Sequence, residues 1–458
     1  MRTAGRRERA RMSELSDWIE RHAIDGVECL IPDMNGILRG KVMPAAKFVA
    51  GEKDRSLRLA SSVFAVSVTG GYAARRGDDG PHIDPDMVLR PDLGSLRIAP
   101  DARTPTALVF ADPYTTDGKP WACAPRHVLK TVAALFAAKG WSVAVAPELE
   151  FYLTAQCADA ARPLSPPAGL EGRPVPPAPY GIEALGEYEA VIGEIHQSAG
   201  LAGLELETVI HESGPAQLEI NFTHGDPVAR ADQTLVFKRI VRRAATRAGL
   251  AATFMAQPLA TEAPSAMHLH LSLADAANGR NLFAEDDGAD SATLRCFLGG
   301  LQTYLPAIAP LFAPNVNSFR RMRPRYSAPV NVEWGHDNRT CGLRIPISDR
   351  ANRRVEIRLP GADANPYLAI AAAMISGLLG VEEGIEPSAE VTTSAYRKPR
   401  SLPRTMEEAL DRFAACDPVL RILGEPFVLA FLAVKEGELA DFQTQVTPWE
   451  REHLAAKV

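Results

Sequence analysis

The chain has 458 residues, a formal net charge of −6, 46% hydrophobic and 23% charged residues. This is enough apolar material for a large core. It excludes wholesale disorder and collagen-like, coiled-coil or disulfide-scaffold classes. The charge balance offers no global basic field for nucleic acid, and the length predicts two or three domains.

No run of about 18 apolar residues occurs, so no membrane span is expected. The basic stretch Met1–Arg11 has no apolar segment of the kind a secretory signal carries. Residues 1–12 are expected as a disordered leader, with Met1 and Met12 as alternative starts. Cys29, Cys123, Cys157, Cys296, Cys341 and Cys416 are scattered without a CxxC spacing. This argues against a zinc site and a disulfide framework, and makes a reduced, cytoplasmic setting the expectation.

In chain order, a helix is predicted near Glu14–His22, a strand at Val27–Ile31, a turn at Pro32–Gly36 and a β-rich stretch over Ser95–Phe110. Pro113–Gly118 reads as a linker. Domain boundaries are therefore set at 13–112 and 113–458. Pro125 opens a helix that Gly140 closes, with Val128, Leu129, Val132 and Phe136 on one stripe. Arg162–Tyr180 is proline-rich and reads as a surface loop. Further helices are predicted over Glu183–Ala199, Ala229–Ala248, Ala292–Phe312, Asn365–Gly380 and Thr405–Phe413.

Four segments carry ionisable residues on a strand face that would ordinarily be apolar. Side chains at i and i+2 share a face. Glu148 and Glu150 do so in Val143–Leu153; Gln217, Glu219 and Asn221 in Gln217–Phe222; His268, His270 and Ser272 in Met267–Leu273; Arg354, Glu356 and Arg358 in Arg354–Leu359. One such strand is simply a wetted face. Four, with helices between them, suggest a curved sheet whose outer face packs on helices and whose inner face lines a charged cavity. Gathered carboxylates repel unless cations neutralise them. Oxygen donors with one imidazole suit Mg²⁺ or Mn²⁺, and arginines beside them suit phosphoryl transfer. There is no P-loop, GxGxxG or kinase catalytic-loop pattern.

At these residues the chain resembles the glutamine synthetase superfamily. The matching pieces are Asp33-x-Asn-Gly-x-x-Arg-Gly-Lys41, Asp86–Asp92, Pro147-Glu-x-Glu-Phe151, His211-Glu with Glu219, Met267-His-x-His270, Pro314–Ser318 with Arg321, Asn338-Arg339 with Arg344, and Arg353–Arg358 with Asp363–Tyr367. The segments Asn315–Arg321, Trp334–Arg339 and Leu359–Tyr367 look most like the γ-glutamylpolyamine synthetase branch. The resemblance implies an α+β fold: a small N-terminal β-grasp domain and a larger catalytic domain with a curved antiparallel sheet covered by helices. It also implies a homo-oligomer, a dodecamer of two hexameric rings, whose active sites lie between neighbouring subunits.

By the same resemblance, Glu150, Glu212 and Glu219 match the ligands of one metal, and Glu148, His268 and Glu356 those of a second. His270, Ser272, Arg344 and Arg354 match ATP contacts, and Arg339 and Glu356 catalytic positions. Glu150, Arg321 and Arg358 match contacts to the amino-acid substrate. The cofactor expected is Mg²⁺ or Mn²⁺, two or more ions per site, with ATP as co-substrate. Small-molecule substrates are expected, with no nucleic acid and no membrane.

Two acids that bind ammonium in glutamine synthetases proper are missing. The flap position is Ser327, in Tyr326-Ser-Ala-Pro-Val330, and the neighbouring-subunit position is Ala60, in Leu59-Ala-Ser-Ser62. The family's Asn-Gly-Ser-Gly is here Ala263-Pro264-Ser265-Ala266, and Gln257 stands where lysine is usual. The expected activity is ATP-dependent ligation of glutamate's γ-carboxylate to an organic primary amine through γ-glutamyl phosphate. The alternatives are a ligase for another carboxylic acid, a true glutamine synthetase and an inactive relative.

Overall fold

The computed structural model describes residues 2–73, 83–159, 161–170, 172–173 and 175–458, the side chains of 2–11 excepted. A helix spans Arg2–Arg21. It is longer than the expected Glu14–His22 and takes in most of the stretch expected as a disordered leader.

The first sheet has strands β1 (Gly26–Pro32), β2 (Leu38–Pro44), β3 (Arg58–Ala60), β4 (Asp86–Pro91), β5 (Arg97–Ile98) and β6 (Thr106–Tyr114). Their order is β2-β1-β6-β4-β3, with β5 beside β6. β1 and β2 form an antiparallel hairpin, and β6 runs parallel to β1, as in a β-grasp. In the Asp33–Gly36 turn, Asp33 Oδ1 accepts the backbone N–H groups of Asn35 and Ile37, and Gly36 adopts a left-handed φ of 70°. Pro113 belongs to the last strand; the turn follows at Thr115–Gly118, where Gly118 N–H donates to Thr115 O.

The larger sheet has strands β7 (Trp141–Ala155), β8 (Leu206–His211), β9 (Gln217–Phe222), β10 (Leu250–Thr253), β11 (Met267–Asp275), β12 (Trp334–His336), β13 (Leu343–Ile345) and β14 (Val355–Ile357). The order is β12-β13-β14-β11-β7-β9-β8, with β10 pairing β7. All pairs are antiparallel except β12 and β13, which are parallel.

Alternation along β7 places Leu149, Phe151 and Leu153 on the face opposite Glu148 and Glu150. That apolar face packs on the helix Pro227–Arg247: the rings of Phe151 and Phe222 lie 6.3 and 5.0 Å from Phe237. The helix expected over Glu183–Ala199 is two pieces, Ile182–Gly186 and Glu189–Leu201. That expected over Ala292–Phe312 ends at Tyr304 and continues as two 3₁₀ turns, because Pro306 and Pro310 lack the N–H an α-helix needs. Pro366–Glu383 is the one helix among the described residues long and apolar enough to cross a bilayer, and 83% of it is buried inside the protein. It is a core helix, capped by the Asn365 side chain accepting from Tyr367 N–H.

Candidate active site

Strand register assembles the polar face. β7 lies between β11 and β9, with Glu148 opposite both His268 and Asn221, and Glu150 opposite Glu219. β14 puts Glu356 opposite His270, and β13 puts Arg344 opposite Glu356. Glu150, Glu219, His268, His270, Glu356 and Arg358 are all buried, Glu356 to 1% exposure.

Two sets of three ligand atoms converge: Glu148, His268 and Glu356, and Glu150, Glu219 and His268. Within each set the atoms lie within 4.8 Å of one another. The first is a triad expected from sequence. In the second, His268 stands where Glu212 was expected. The Glu212 carboxylate is turned to its own chain, Oε2 accepting from Ser213 N–H at 3.1 Å, while its charge still reaches Glu150 and Glu219.

Charge is unevenly shared across this face. Burial and then the Glu212 charge push Glu150 up to about 8. Burial and the charges of Glu148, Glu150, Glu212 and Glu356 raise Glu219 well above the usual carboxylate range, and burial raises Glu212. Glu148 goes the other way. Burial opposes its ionisation, but His268 and His270 hold it well below its ordinary value. Glu356 is held to about 2 against burial by Arg358, His268 and His270, while His268 is pushed down to about 4 by burial and Arg358. A buried carboxylate without a cation takes up a proton. Glu150, Glu212 and Glu219 are thus carboxylates short of positive charge, and an oxygen-rich donor set with one imidazole fits a hard divalent cation.

The histidines are oriented. His270 Nδ1 accepts from Arg354 Nε at 3.1 Å, which leaves the ring proton on Nε2. That nitrogen lies 2.8 Å from Glu148 Oε1, a close contact off the angle of a full hydrogen bond. His268 Nδ1 is 3.4 Å from Glu148 and 3.8 Å from Glu356. His270, Ser272, Arg354 and Glu148 line a cavity of about 350 Å³ together with Asn352 and Asn221.

Arginines surround the acids. Arg344 donates to Glu356 at 2.7 Å and to Asp337 at 2.5 Å, and Arg358 donates to the other Glu356 oxygen. Arg321, expected to clamp substrate, is tied to the chain: Nη1 donates to Leu359 O and Nη2 to Arg358 O, both at 2.8 Å. Its buried Nε has no partner, nor has that of Arg358. Arg339 is exposed in the turn between β12 and β13, its charge acting on Glu212 and Asp337.

The divergent loop is well anchored. Tyr152 Oη donates to Ala263 O at 2.8 Å, and Gln217 Nε2 to Pro264 O at 2.9 Å and to Glu150 at 3.2 Å. Ala266 N–H donates to Glu150 at 2.8 Å. Gln257 has a role the sequence did not disclose: its amide donates to Leu259 O at 2.6 Å and Glu262 O at 3.0 Å, pinning the turn. Tyr152, Gln257 and Asp337 were missed as supports: Tyr152 acts on a backbone carbonyl 111 residues away, and Gln257 and Asp337 act on near neighbours through loop geometry that strand alternation does not encode. Gln217 carried a signal, its place on the polar face of β9.

Ser327 is half-buried, and both it and Tyr326 have left-handed φ values, 55° and 51°. Arg325 fastens this loop to Ala260 O at 2.8 Å, and Tyr396 Oη donates to Ala328 O at 3.1 Å. Ala60 lies on β3, at the edge of the other sheet and paired only with β4. Ala60 and Ser327 thus sit on different elements, β3 of the first sheet and the loop before β12.

The family model described as glutamine synthetase, catalytic domain, matches residues 122–454. The chain is 35% identical to gamma-glutamylputrescine synthetase of Escherichia coli (strain K12), over 98% of this chain and 96% of that protein. It is 33% identical to gamma-glutamylethanolamide synthetase of Streptomyces coelicolor, over 96% and 94%, and 32% identical to a glutamate–isopropylamine ligase from a Pseudomonas species, over 95% and 96%. The solved GmaS/ADP complex superposes with a TM-score of 0.81 at 30% identity, over 96% of this chain and 99% of that one. With a catalytic-domain match over most of its length and relatives aligned nearly end to end, the chain belongs to the glutamine synthetase family.

Proposed function

We propose that the protein is an ATP-dependent ligase joining the γ-carboxylate of glutamate to an organic primary amine. The observation that carries this reading is an intact acid, histidine and arginine set combined with Ser327 and Ala60 at the two ammonium-binding positions. The three relatives named above agree with it: each is named for a γ-glutamyl or glutamate product with an organic amine.

In this reading Glu150, Glu212 and Glu219 hold one Mg²⁺ or Mn²⁺, and Glu148, His268 and Glu356 another. When bound, the cations would neutralise charge on the transferring phosphoryl group. His270, Ser272 and Arg354 position the nucleotide, and Arg344 and Arg339 the phosphates. Arg358 and the free Nε of Arg321 face the amino acid. Held in line, a γ-carboxylate oxygen displaces ADP from the γ-phosphorus and forms an acyl phosphate. The neutral amine then attacks the acyl carbon, phosphate leaves, and the ammonium proton is lost to give the amide. Ala60 would act across a subunit boundary, in a dodecamer of two hexameric rings. The two domains expected at 13–112 and 113–458 divide slightly later in this reading, after β6, because Pro113 and Tyr114 still pair with β4 in the first sheet.

An ammonium ion has no apolar surface, so without two carboxylate partners it loses charged hydrogen bonds of about 1.5–3 kcal/mol each. An organic amine regains about 0.8 kcal/mol per buried CH₂. Phosphate release with glutamate, ATP and putrescine, ethanolamine or isopropylamine should exceed that with ammonium chloride by about tenfold or more in kcat/KM for at least one amine. Equal use of ammonium would refute the proposal. Substituting other carboxylic acids for glutamate tests the acid.

A further inference from the structure

On the helix-covered side of the larger sheet, a cavity of about 680 Å³ lies between the Asn35–Leu38 turn of the first sheet and the Pro227–Arg247 helix. Its helical wall reads Lys238-Arg239-x-x-Arg242-Arg243, four cations on two successive turns of one face. They form two like-charged i,i+4 pairs, Lys238 with Arg242 and Arg239 with Arg243, which repel unless acids answer them. One pair is answered. Arg239 donates to Glu28 at 3.0 Å and to Asp101 at 2.8 Å, and Arg243 lies 3.4 Å from Asp101.

The other pair is not. Lys238 is 6% exposed, and its ammonium donates only to neutral oxygens, Ala362 O at 2.6 Å and Ala364 O at 3.1 Å. Arg242 is exposed, and its guanidinium makes no ion pair or hydrogen bond among the described residues. Both cations lie over one aromatic ring: Phe254 has its centroid 5.6 Å from Lys238 Nζ and 5.2 Å from Arg242 Cζ. The wall carries one acid, Asp363: its Oδ2 is taken by Asn315 at 2.8 Å and Ser318 at 2.6 Å, and its buried Oδ1 has no partner. Burial and then the Arg242 charge push Lys238 down to about 7 against the opposing charge of Asp363, the response of a buried ammonium with no carboxylate hydrogen-bonded to it.

We propose that this cavity binds a small organic phosphate, its anion held between Lys238 and Arg242 and its carbon portion against Phe254. The dimensions suit such a ligand. A guanidinium beside an ammonium is the pair that recognises phosphate oxygens, the first by its fork and the second as a point charge. The site is separate from the catalytic face. Phe254 packs 5.5 Å from Phe151, whose side chain lies on the opposite face of β7 from Glu150.

The test is equilibrium binding of glycerol 3-phosphate to the full-length oligomer in EDTA, so that the acid-lined catalytic face has no cation to attract phosphate. The expected result is one equivalent per chain, weakened at least tenfold by Arg242→Gln, largely retained in Arg242→Lys, and falling with salt. Basal turnover of Arg242→Gln should match wild type. Absence of binding, or binding unchanged in Arg242→Gln, overturns the proposal. Binding of succinate in place of glycerol 3-phosphate overturns the phosphate assignment. A change of sedimentation in Arg242→Gln with no ligand binding would instead assign the cavity to a subunit contact, and so overturn it too.

Discussion

Replacing Glu150 by glutamine should make the metal-free protein more stable at neutral pH while weakening its response to Mg²⁺. Glu150 is buried, with Glu219 opposite it in the β7–β9 register. Burial and the Glu212 charge raise it to about 8 from an ordinary 4.5. Because the folded-state value is the higher one, the native state binds the proton more tightly than the unfolded chain. The stability from that proton is fully present below pH 4.5 and is lost as pH rises towards 8. Between pH 4.5 and 7 the loss is about 3 kcal/mol, at 1.36 kcal/mol per pH unit. Glutamine keeps the shape and can still accept from Ala266 N–H, but carries no proton to lose. For a chain of this length, with about 2.1 cal/mol/K of unfolding entropy per residue, 3 kcal/mol corresponds to about 3 °C in Tm. Thermal scans in EDTA at fixed rate should show wild-type Tm falling from pH 5 to pH 8 and a shallower slope for Glu150→Gln. Adding Mg²⁺ at pH 8 should raise wild-type Tm and raise the variant's less, since only the Glu148, His268 and Glu356 set is left intact. A wild-type Tm insensitive to pH in EDTA, or a variant less stable than wild type at pH 8, would refute the reasoning.

Glu356→Ala should lower kcat more than about a hundredfold at saturating Mg²⁺ with the oligomer intact, since even groups that merely orient metal ligands are worth ten- to a hundredfold; undiminished turnover removes Glu356 from the site. Sedimentation should find a large ring assembly, and dilution to isolated chains should abolish activity; an active monomer would place Ala60 outside the site. Restoring acids with Ser327→Glu and Ala60→Asp should narrow the preference for organic amines over ammonium, read as the ratio of kcat/KM values. An unchanged ratio would mean that other residues exclude ammonium.

Much of this protein was legible in its sequence because strand alternation is strict. Glu148 and Glu150, His268 and His270, Glu356 and Arg358 each had to share a face once their segments were read as strands, and their motifs specified the family. Local chemistry likewise set the Asp33–Gly36 turn and the caps at Asn365 and Thr405. Pairing across the sheet was not legible. That Glu148 meets His268, that Arg344 reaches Glu356, and that His268 joins Glu150 and Glu219 are facts of register between strands more than a hundred residues apart in some cases, and one residue's slip would turn every side chain to the other face. Tertiary structure also decided which arginines are spoken for. Arg321 reads like Arg358 in sequence, yet its guanidinium is tied to two backbone carbonyls. Likewise Lys238 and Arg242 look like any basic helix face until the acids that answer Arg239 and Arg243 are seen to fall short of them. Sequence determines which charges a strand or helix face presents. Whether a charge is satisfied depends on what the folded chain brings within hydrogen-bonding distance, because burial makes an unanswered charge costly and a distant partner cannot repay it.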